Sequence, residues 1–306
     1  MTLSLKQVRY FIAAAEAGKI SQAAFELSVS QSAVTAAIQQ LEAGLAIRLF
    51  HRNPSGVTLT PEGNRFLQHA RHIMAAVNEA IRVPRTADSA LSGKVKVGVT
   101  YTVCGYFLPP YHARFIRNFP NVSLDLYEAS RTVIEDALME GAIDIGVILV
   151  SNLENRERLT AETLFRSRRR LWLPAEHRLL RQETVTLADV AEEPYVMLTV
   201  DEASQTAGRY WTRTQHRPNV IFRTSSVEAV RSMVAAGMGV SILSDMVYRP
   251  WSLEGQRIET RSLEDDIPTM DVGLARRAGS ALSPPAQALH DFFVLAFQSG
   301  NQGFPA

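Results

Sequence analysis

ISQAAFELSVSQSAVTAAIQQLEAGLAIRLFHR, residues 20–52, contains a short helical run, a tight polar turn and a longer helical run with one polar face. In the second run Val34, Ile38, Leu41 and Leu45 recur at steps of four, three and four, which stacks them on one buried stripe. The other face carries Gln31, Ser32, Thr35 and Gln39, short polar side chains able to reach base edges when a helix N-terminus enters a major groove. Ser30 is the expected cap of this helix and Ser21 of the preceding one, with Ile20 and Phe25 at the spacing of a hydrophobic staple. The pattern predicts a helix-turn-helix, with DNA as the first partner to consider. An amphipathic helix pair is also common in any helical domain, and Gln, Ser and Thr are ordinary surface residues, so the pattern alone leaves both readings open.

Upstream, Ser4 and Gln7 form a capping-box pair, Leu5, Val8, Ile12 and Ala15 an apolar stripe, and Gly18 a helix stop. Three small helices can then bury one core. Downstream, Arg52, Asn53, Pro54, Ser55 and Gly56 form a turn between short extended runs that end in Val57, Thr58 and Leu59. That hairpin reads as a wing, with Arg52 placed to contact phosphate and Ser21 and Thr58 as further DNA-contact candidates.

This region resembles the N-terminal motif of the LysR-type transcriptional regulators. The resemblance is carried by Phe11, Ala14, Ser21, Ala23, Ala24, Leu27, Ser30, Gln31, Ser32, Ala33, Val34, Thr35, Ile38, Leu41, Glu42, Leu45, Leu49, Phe50, Arg52, Leu59, Thr60, Glu62 and Gly63. Two departures stand out: Ala46 replaces the usual glycine, and Thr35 replaces the commoner serine. Both residues are compatible with a helix, so neither disturbs the reading. The resemblance implies a winged helix-turn-helix, a long linker helix, and a C-terminal effector domain of two α/β lobes like a periplasmic binding protein. It also implies a homodimer or homotetramer on an operator with two half-sites, a small-molecule effector held between the lobes, and RNA polymerase as a further partner. Effector binding would then close the lobes, rearrange the subunits and alter DNA bending.

The 306 residues suffice for a small domain and a larger one, and 46% apolar composition suffices for real cores. No run approaches the roughly 18 apolar residues of a membrane span, and the N-terminus reads as a helix rather than a secretory signal. A bacterial cytoplasmic, nucleoid-associated location with no membrane partner is expected. Net charge is only +1, but residues 1–93 hold nine basic against six acidic side chains, leaving the remainder net acidic. DNA affinity should therefore rest on a few placed contacts and on paired subunits. Cys104 is the only cysteine, in an apolar, turn-like stretch, and reads as a small buried or half-buried side chain rather than a reactive thiol.

Thr60, Pro61 and Glu62 announce a helix running to about Val83. Phe66, Ala70, Ile73, Val77 and Ala80 or Ile81 form a seam about two heptads long on it, read as the dimerisation element. The alternative is packing against its own domain. His69 and His72 on this helix lack the acidic or cysteine partners of a metal site. The expected division is residues 1–60 for DNA binding, 61–88 for the linker and 89–306 for the regulatory domain. Within the last, lobe 1 spans about 94–167 and 268–300, and lobe 2 about 168–267.

From Lys94 onward strands and helices alternate, which predicts parallel sheets covered by helices. Strands are expected over 95–99, 122–127, 143–149, 171–173, 195–198, 220–223, 240–243 and 270–275. The first regulatory helix is expected over 106–118, and later ones over 132–140, 205–215, 226–236 and 285–297. Ligands of open α/β sheets bind beyond the strand C-termini, where Thr100, Thr102, Ser130, Thr199, Ser225 and Ser226 stand. Hydroxyls beside helix ends suit a carboxylate effector, although each residue alone also reads as an ordinary cap. Glu128, Asp201 and Glu202 near the same strand ends keep open an effector with an amino or other donor group. The run Arg166, Arg168, Arg169 and Arg170 either attracts an anion or forms a solvated edge.

An enzyme is the competing class. The chain has no G-x-S-x-G elbow, phosphate-binding P-loop, dinucleotide fingerprint or H-E-x-x-H pair, so no enzymatic activity or catalytic residue is expected, nor any cofactor or metal. An effector-independent regulator is a further alternative. A purely architectural DNA binder would leave some two hundred C-terminal residues without a task.

Overall fold

The first helix, α1 (Leu5–Ala17), starts on a capping box: Ser4 Oγ accepts from the Gln7 amide at 3.2 Å, and Gln7 Oε1 accepts from the Ser4 amide at 3.0 Å. It ends at Gly18, whose φ of 65° lies in the left-handed region that glycine enters without strain. The computed structural model describes residues 3–27, 29–53, 56–82 and 91–297, without the side chains of 52, 53, 68, 71, 72, 75, 76 and 78–82. It divides into two units, Met1–Thr86 and Ala87–Ala306.

The buried face of α1 is Val8, Tyr10, Phe11 and Ala14. This differs from the expected stripe, because Leu5 is exposed and Ile12 and Ala15 are only half-buried. Phe11 decides the rotation: its ring lies 5.2 Å from Phe50 and 5.1 Å from Phe66, an aromatic cluster that α1 must face. Helix α2 (Ile20–Glu26) has Lys19 rather than Ser21 at its N-cap position, with no side-chain cap bond, because Ile20 is already helical. Ser21 is an exposed residue inside the helix, and no staple forms because Phe25 is 80% exposed.

Helix α3 (Gln31–Leu45) begins as expected, with Ser30 Oγ accepting from the Ala33 amide at 3.2 Å. It stops on Ala46, which is not helical but left-handed at φ 54°. Strands β1 (Phe50–Asn53) and β2 (Gly56–Leu59) form an antiparallel hairpin with Phe50 opposite Leu59; Pro54 and Ser55 of the expected turn lie outside the described residues. The Glu42 carboxylate of α3 accepts from the Leu49 and Phe50 amides at 2.7 and 3.2 Å, tying the hairpin to the helix. Helix α4 (Pro61–Arg82) is capped by Thr60 Oγ1, which accepts from the Gly63 amide at 2.8 Å. The domain boundary expected near 89–93, and the linker from 83, fall largely on residues outside the description.

The second unit opens with β3 (Gly93–Val99), followed by α5 (Tyr101–Tyr106) and α6 (Leu108–Asn118). The expected single helix from Tyr106 is therefore two, and Cys104 sits on α5 rather than in a turn. Pro109 and Pro110 are tolerated only in a first helical turn, which forces the break at Phe107. Then come β4 (Val122–Glu128), α7 (Arg131–Glu140), β5 (Ile145–Leu149) and β6 (Leu159–Ser167), the last of these unforeseen. The chain continues through β7 (Arg169–Pro174), α8 (Leu187–Ala191), β8 (Pro194–Leu198), α9 (Ala203–Trp211), β9 (Asn219–Thr224) and α10 (Val227–Ala235). It closes with β10 (Ser241–Ser244), β11 (Ile258–Arg261), β12 (Met270–Arg277) and α11 (Pro284–Phe297).

Lobe 1 is a sheet of order β4-β3-β5-β12-β6. It is parallel only across β4, β3 and β5, because β12 returns from the second lobe and pairs antiparallel with both β5 and β6. Lobe 2 holds the antiparallel trio β10-β7-β11 and the parallel pair β8-β9, with a parallel bridge from Tyr195 to Val240. The expected parallel sheets are thus mixed. The chain crosses between lobes twice, from β6 into β7 and from β11 into β12, and a core including Phe107, Leu149, Leu198 and Leu243 continues through both.

Candidate DNA-reading face and effector cleft

In the first unit, packing Val34, Ile38 and Leu41 into the core turns the opposite face of α3 outward. Gln31, Ser32 and Gln39 are exposed, Thr35 is half-buried, and Ser32 Oγ lies 3.0 Å from Ser30 Oγ. The first turn of α3 adds free amides and the positive end of the helix dipole to these side chains, a combination suited to phosphate and base edges. Ser21 and Thr58 are exposed nearby in the same unit, while the Arg52 side chain lies outside the description. An open groove of about 470 Å³, lined by Gln39, Glu42, Ala43, Ala46, Ile47 and Arg48, runs beside the C-terminal half of α3. It is a surface trough, and Glu42, the half-buried acid lining it, is already taken up by the Leu49 and Phe50 amides.

Helix α4 departs from the expected seam. Ala70 is fully buried in the core of its own unit, and Phe66 is stacked edge-on against Phe11. Steps of four and three along α4 therefore begin as an internal contact. Ile73 and Val77 remain half-buried without belonging to that core. Ala80 and Ile81 have no described side chains.

In the second unit the lobes meet through polar groups around a cavity of about 30 Å³, room for one or two waters. Of the six hydroxyl residues expected to meet an effector, only Thr102 lines it. Its amide and Oγ1 both donate to Asp201 Oδ2, at 2.7 and 2.5 Å. Thr100 is buried, and its hydroxyl has no partner among the described residues. Ser130 and Ser225 are exposed, and Thr199 is half-buried without capping the turn it precedes. Ser226 Oγ accepts from the Ala229 amide at 3.1 Å, so it caps α10, the ordinary role of serine there.

Asp201 and Arg169, which the sequence offered only as alternatives, line the cavity, and so do Tyr210 and Ser244, which the sequence did not single out; the apolar walls include Leu149, Leu198 and Ile242. Arg169 donates to the carbonyls of Pro268 and of Thr269, the latter at 2.8 Å, beside the second crossing between lobes. Burial pushes its guanidinium below the usual arginine range. Burial pushes the Asp201 carboxyl up, against the hydrogen bonds from Thr102 and Tyr101 that hold it down. Asp201 and Glu202 both have left-handed backbones, at φ 50° and 58°, a strained pairing for residues other than glycine.

Further contacts join the lobes around this point. Asn152 Nδ2 donates to Asp201 O at 3.1 Å and Glu202 Oε2 at 3.3 Å, and the Tyr106 hydroxyl donates to Glu228 Oε1 at 2.6 Å. Arg131 lies within 2.9 Å of both Glu135 and Glu154 and 3.4 Å from Glu202. Burial raises Glu135, but Arg131 and the amides of Asn155 and Glu154 outweigh it and hold the carboxyl below its ordinary value. The Cys104 thiol, half-buried on α5, is pushed up by burial and by Glu128. No three potential metal-ligating side chains converge among the described residues, and no described helix is long and apolar enough to cross a membrane.

Residues 88–298 match the model of the LysR substrate binding domain, and residues 5–64 that of the bacterial regulatory helix-turn-helix protein, lysR family. The chain belongs to the LysR family of transcriptional regulators. As a LysR-type regulator it is a DNA-binding transcription factor with an effector-binding domain, and not an enzyme. It is 30% identical to the uncharacterized HTH-type transcriptional regulator YwqM of Bacillus subtilis (strain 168), over 97% of this chain and 100% of that protein. It is 28% identical to the HTH-type transcriptional regulator AlsR of the same organism, over 82% and 84%. Among solved structures, the LysR family regulator HinK of Pseudomonas aeruginosa matches with a TM-score of 0.62 and 24% identity, over 96% of this chain and 98% of that one. Full-length BenM matches with a TM-score of 0.57 and 23% identity, over 95% of each. At that identity the two structures support the shared fold.

Proposed function

We propose that this LysR-type regulator reads an operator of two half-sites as a dimer or tetramer, and that a small carboxylate-bearing effector entering the interlobe cavity changes that binding. Gln31, Ser32, Thr35 and Gln39 take the base edges, with Arg52, Thr58 and Ser21 on the backbone. RNA polymerase is the partner through which such a switch acts in the bacterial cytoplasm. The observation that carries the reading is the cavity itself: the half-buried Arg169 at the crossing between lobes, lining one space with polar groups from both.

Its DNA arm is tested by selecting duplexes from a random library with the full chain, then titrating the selected operator by fluorescence anisotropy. An inverted repeat is expected. Thr35→Ala should weaken binding by about 1–3 kcal/mol at one base position. Arg52→Ala should weaken all sequences alike and reduce the slope of log affinity against log salt by about one. Unchanged affinity in both variants, with intact folding, would sink the assignment of the reading face.

A further inference from the structure

The buried arginines of the regulatory unit sit in ion pairs: Arg131 meets three carboxylates, and Arg231 meets Glu228 at 2.8 Å. Half-buried arginines such as Arg261 and Arg276 donate to backbone carbonyls instead. Arg169 and Asp201, also half-buried, differ in lining one cavity between the lobes. Arg169 donates only to backbone carbonyls, and among the described residues no carboxylate lies within ion-pair distance of it. Asp201 accepts from the amide and hydroxyl of Thr102, and among the described residues no cation lies within ion-pair distance of it. Glu128 adds a like charge that further disfavours the Asp201 anion.

A charge taken out of water is unfavourable unless an opposite charge or full hydrogen bonding replaces the solvent. Arginine has no neutral form to retreat to. One enclosed space that presents an unpaired cation and an unpaired carboxylate is complementary to a molecule carrying both opposite charges. Its remaining walls, Leu149, Leu198, Val200, Ile242 and Met270 among them, are apolar.

We infer that the cavity between the lobes receives a small zwitterion of the α-amino acid class with an apolar side chain, its carboxylate on Arg169 and its ammonium on Asp201. The inference rests on the cavity being the effector site and names the effector's class. The Tyr210 and Ser244 hydroxyls line the same space and add hydrogen-bonding capacity. At about 30 Å³ the cavity is too small for any amino acid, so entry requires the lobes to part. Parting them breaks the Thr102–Asp201 and Asn152–Glu202 contacts and frees the Asp201 carboxylate for the ammonium. The internal contact with Thr102 holds the ligand-free cleft shut, and the ligand must displace it.

The test is thermal denaturation of the full-length protein with alanine, valine, leucine, methionine and phenylalanine. Each is paired with the carboxylic acid lacking its amino group and the amine lacking its carboxylate. The same panel is run on Arg169→Lys and Asp201→Asn, which preserve size, after their ligand-free midpoints are shown to match wild type. At least one amino acid should raise the midpoint in a concentration-dependent way while neither of its analogues does. Each variant should weaken that apparent affinity roughly tenfold or more, Asp201→Asn by removing the charge that meets the ammonium and Arg169→Lys by replacing the bidentate guanidinium fork with a point charge. Equal stabilisation by the acid lacking the amino group, or a shift persisting in both variants, would overturn the proposal, as would silence from every amino acid. A second panel of dicarboxylates, aromatic acids and sugar phosphates separates the two levels. A hit there that Arg169→Lys abolishes removes the amino acid class but keeps the effector cleft, whereas silence from both panels removes both.

Discussion

Ala46 shows how one residue is read differently once its backbone is known. As a helix-compatible substitute for glycine it looks harmless, yet it occupies the left-handed position that ends α3, where a Cβ crowds the following carbonyl. Ala46→Gly should therefore raise the stability of the first unit by about 1 kcal/mol in urea denaturation. No change would mean that the unfolded chain's extra freedom cancels the relief. Glu135 is the opposite case, a fully buried carboxylate that accepts from Arg131, Asn155 and the Glu154 amide. Glu135→Ala should cost about 3 kcal/mol at neutral pH, the effect of breaking a buried pair. Because folding lowers the Glu135 pKa, its contribution is complete above the unfolded-state pKa and is lost as pH falls through the lower folded-state value. Wild type and variant should thus converge in acid denaturation, and a gap independent of pH would contradict the assignment. Arg169 and Asp201 could not be weighed from sequence, since the absence of an oppositely charged partner among the described residues is a fact of three dimensions.

At the scale of elements, legibility followed periodicity. The α3 stripe was plain because Val34, Ile38 and Leu41 fit a single face, and all three are buried. In α1 two overlapping stripes were available, and only the Phe11–Phe50–Phe66 cluster chooses between them. Strand β6 escaped notice because only Leu159, Phe165 and Ser167 along it are buried, and its partner β12 lies about a hundred residues away. Helix α4 was legible as a helix but not in its partner, since the same spacing serves Phe11 within the unit and would equally serve a second copy. We propose that the remaining half-buried positions, Ile73 and Val77, carry the seam. Ile73→Asp should give monomers by light scattering with the fold intact, while Ala70→Asp should unfold the first unit. A fully dimeric Ile73→Asp would place the subunit contact elsewhere.

For the molecule as a whole, alternating strands and helices pointed to two α/β lobes but not to the antiparallel return of β12, which depends on where the chain crosses back. The crossings matter because they set Arg169 at the junction and let Asp201 reach Thr102 from the other lobe. Two lobes held by a few hydrogen bonds around a small cavity are, in the proposed function, the two-state element, and a ligand acts on it only through its different affinity for the two states. The central claim is that the state of this cleft and the affinity for DNA are coupled. The direct test is an anisotropy titration of the selected operator with full-length wild type and Thr102→Val, whose cleft loses one hydrogen bond to Asp201 and should show faster amide exchange, measured first. The account predicts operator affinities differing by about fivefold or more, the usual scale of coupling between linked sites. Superimposable curves from two proteins whose clefts demonstrably differ would contradict it.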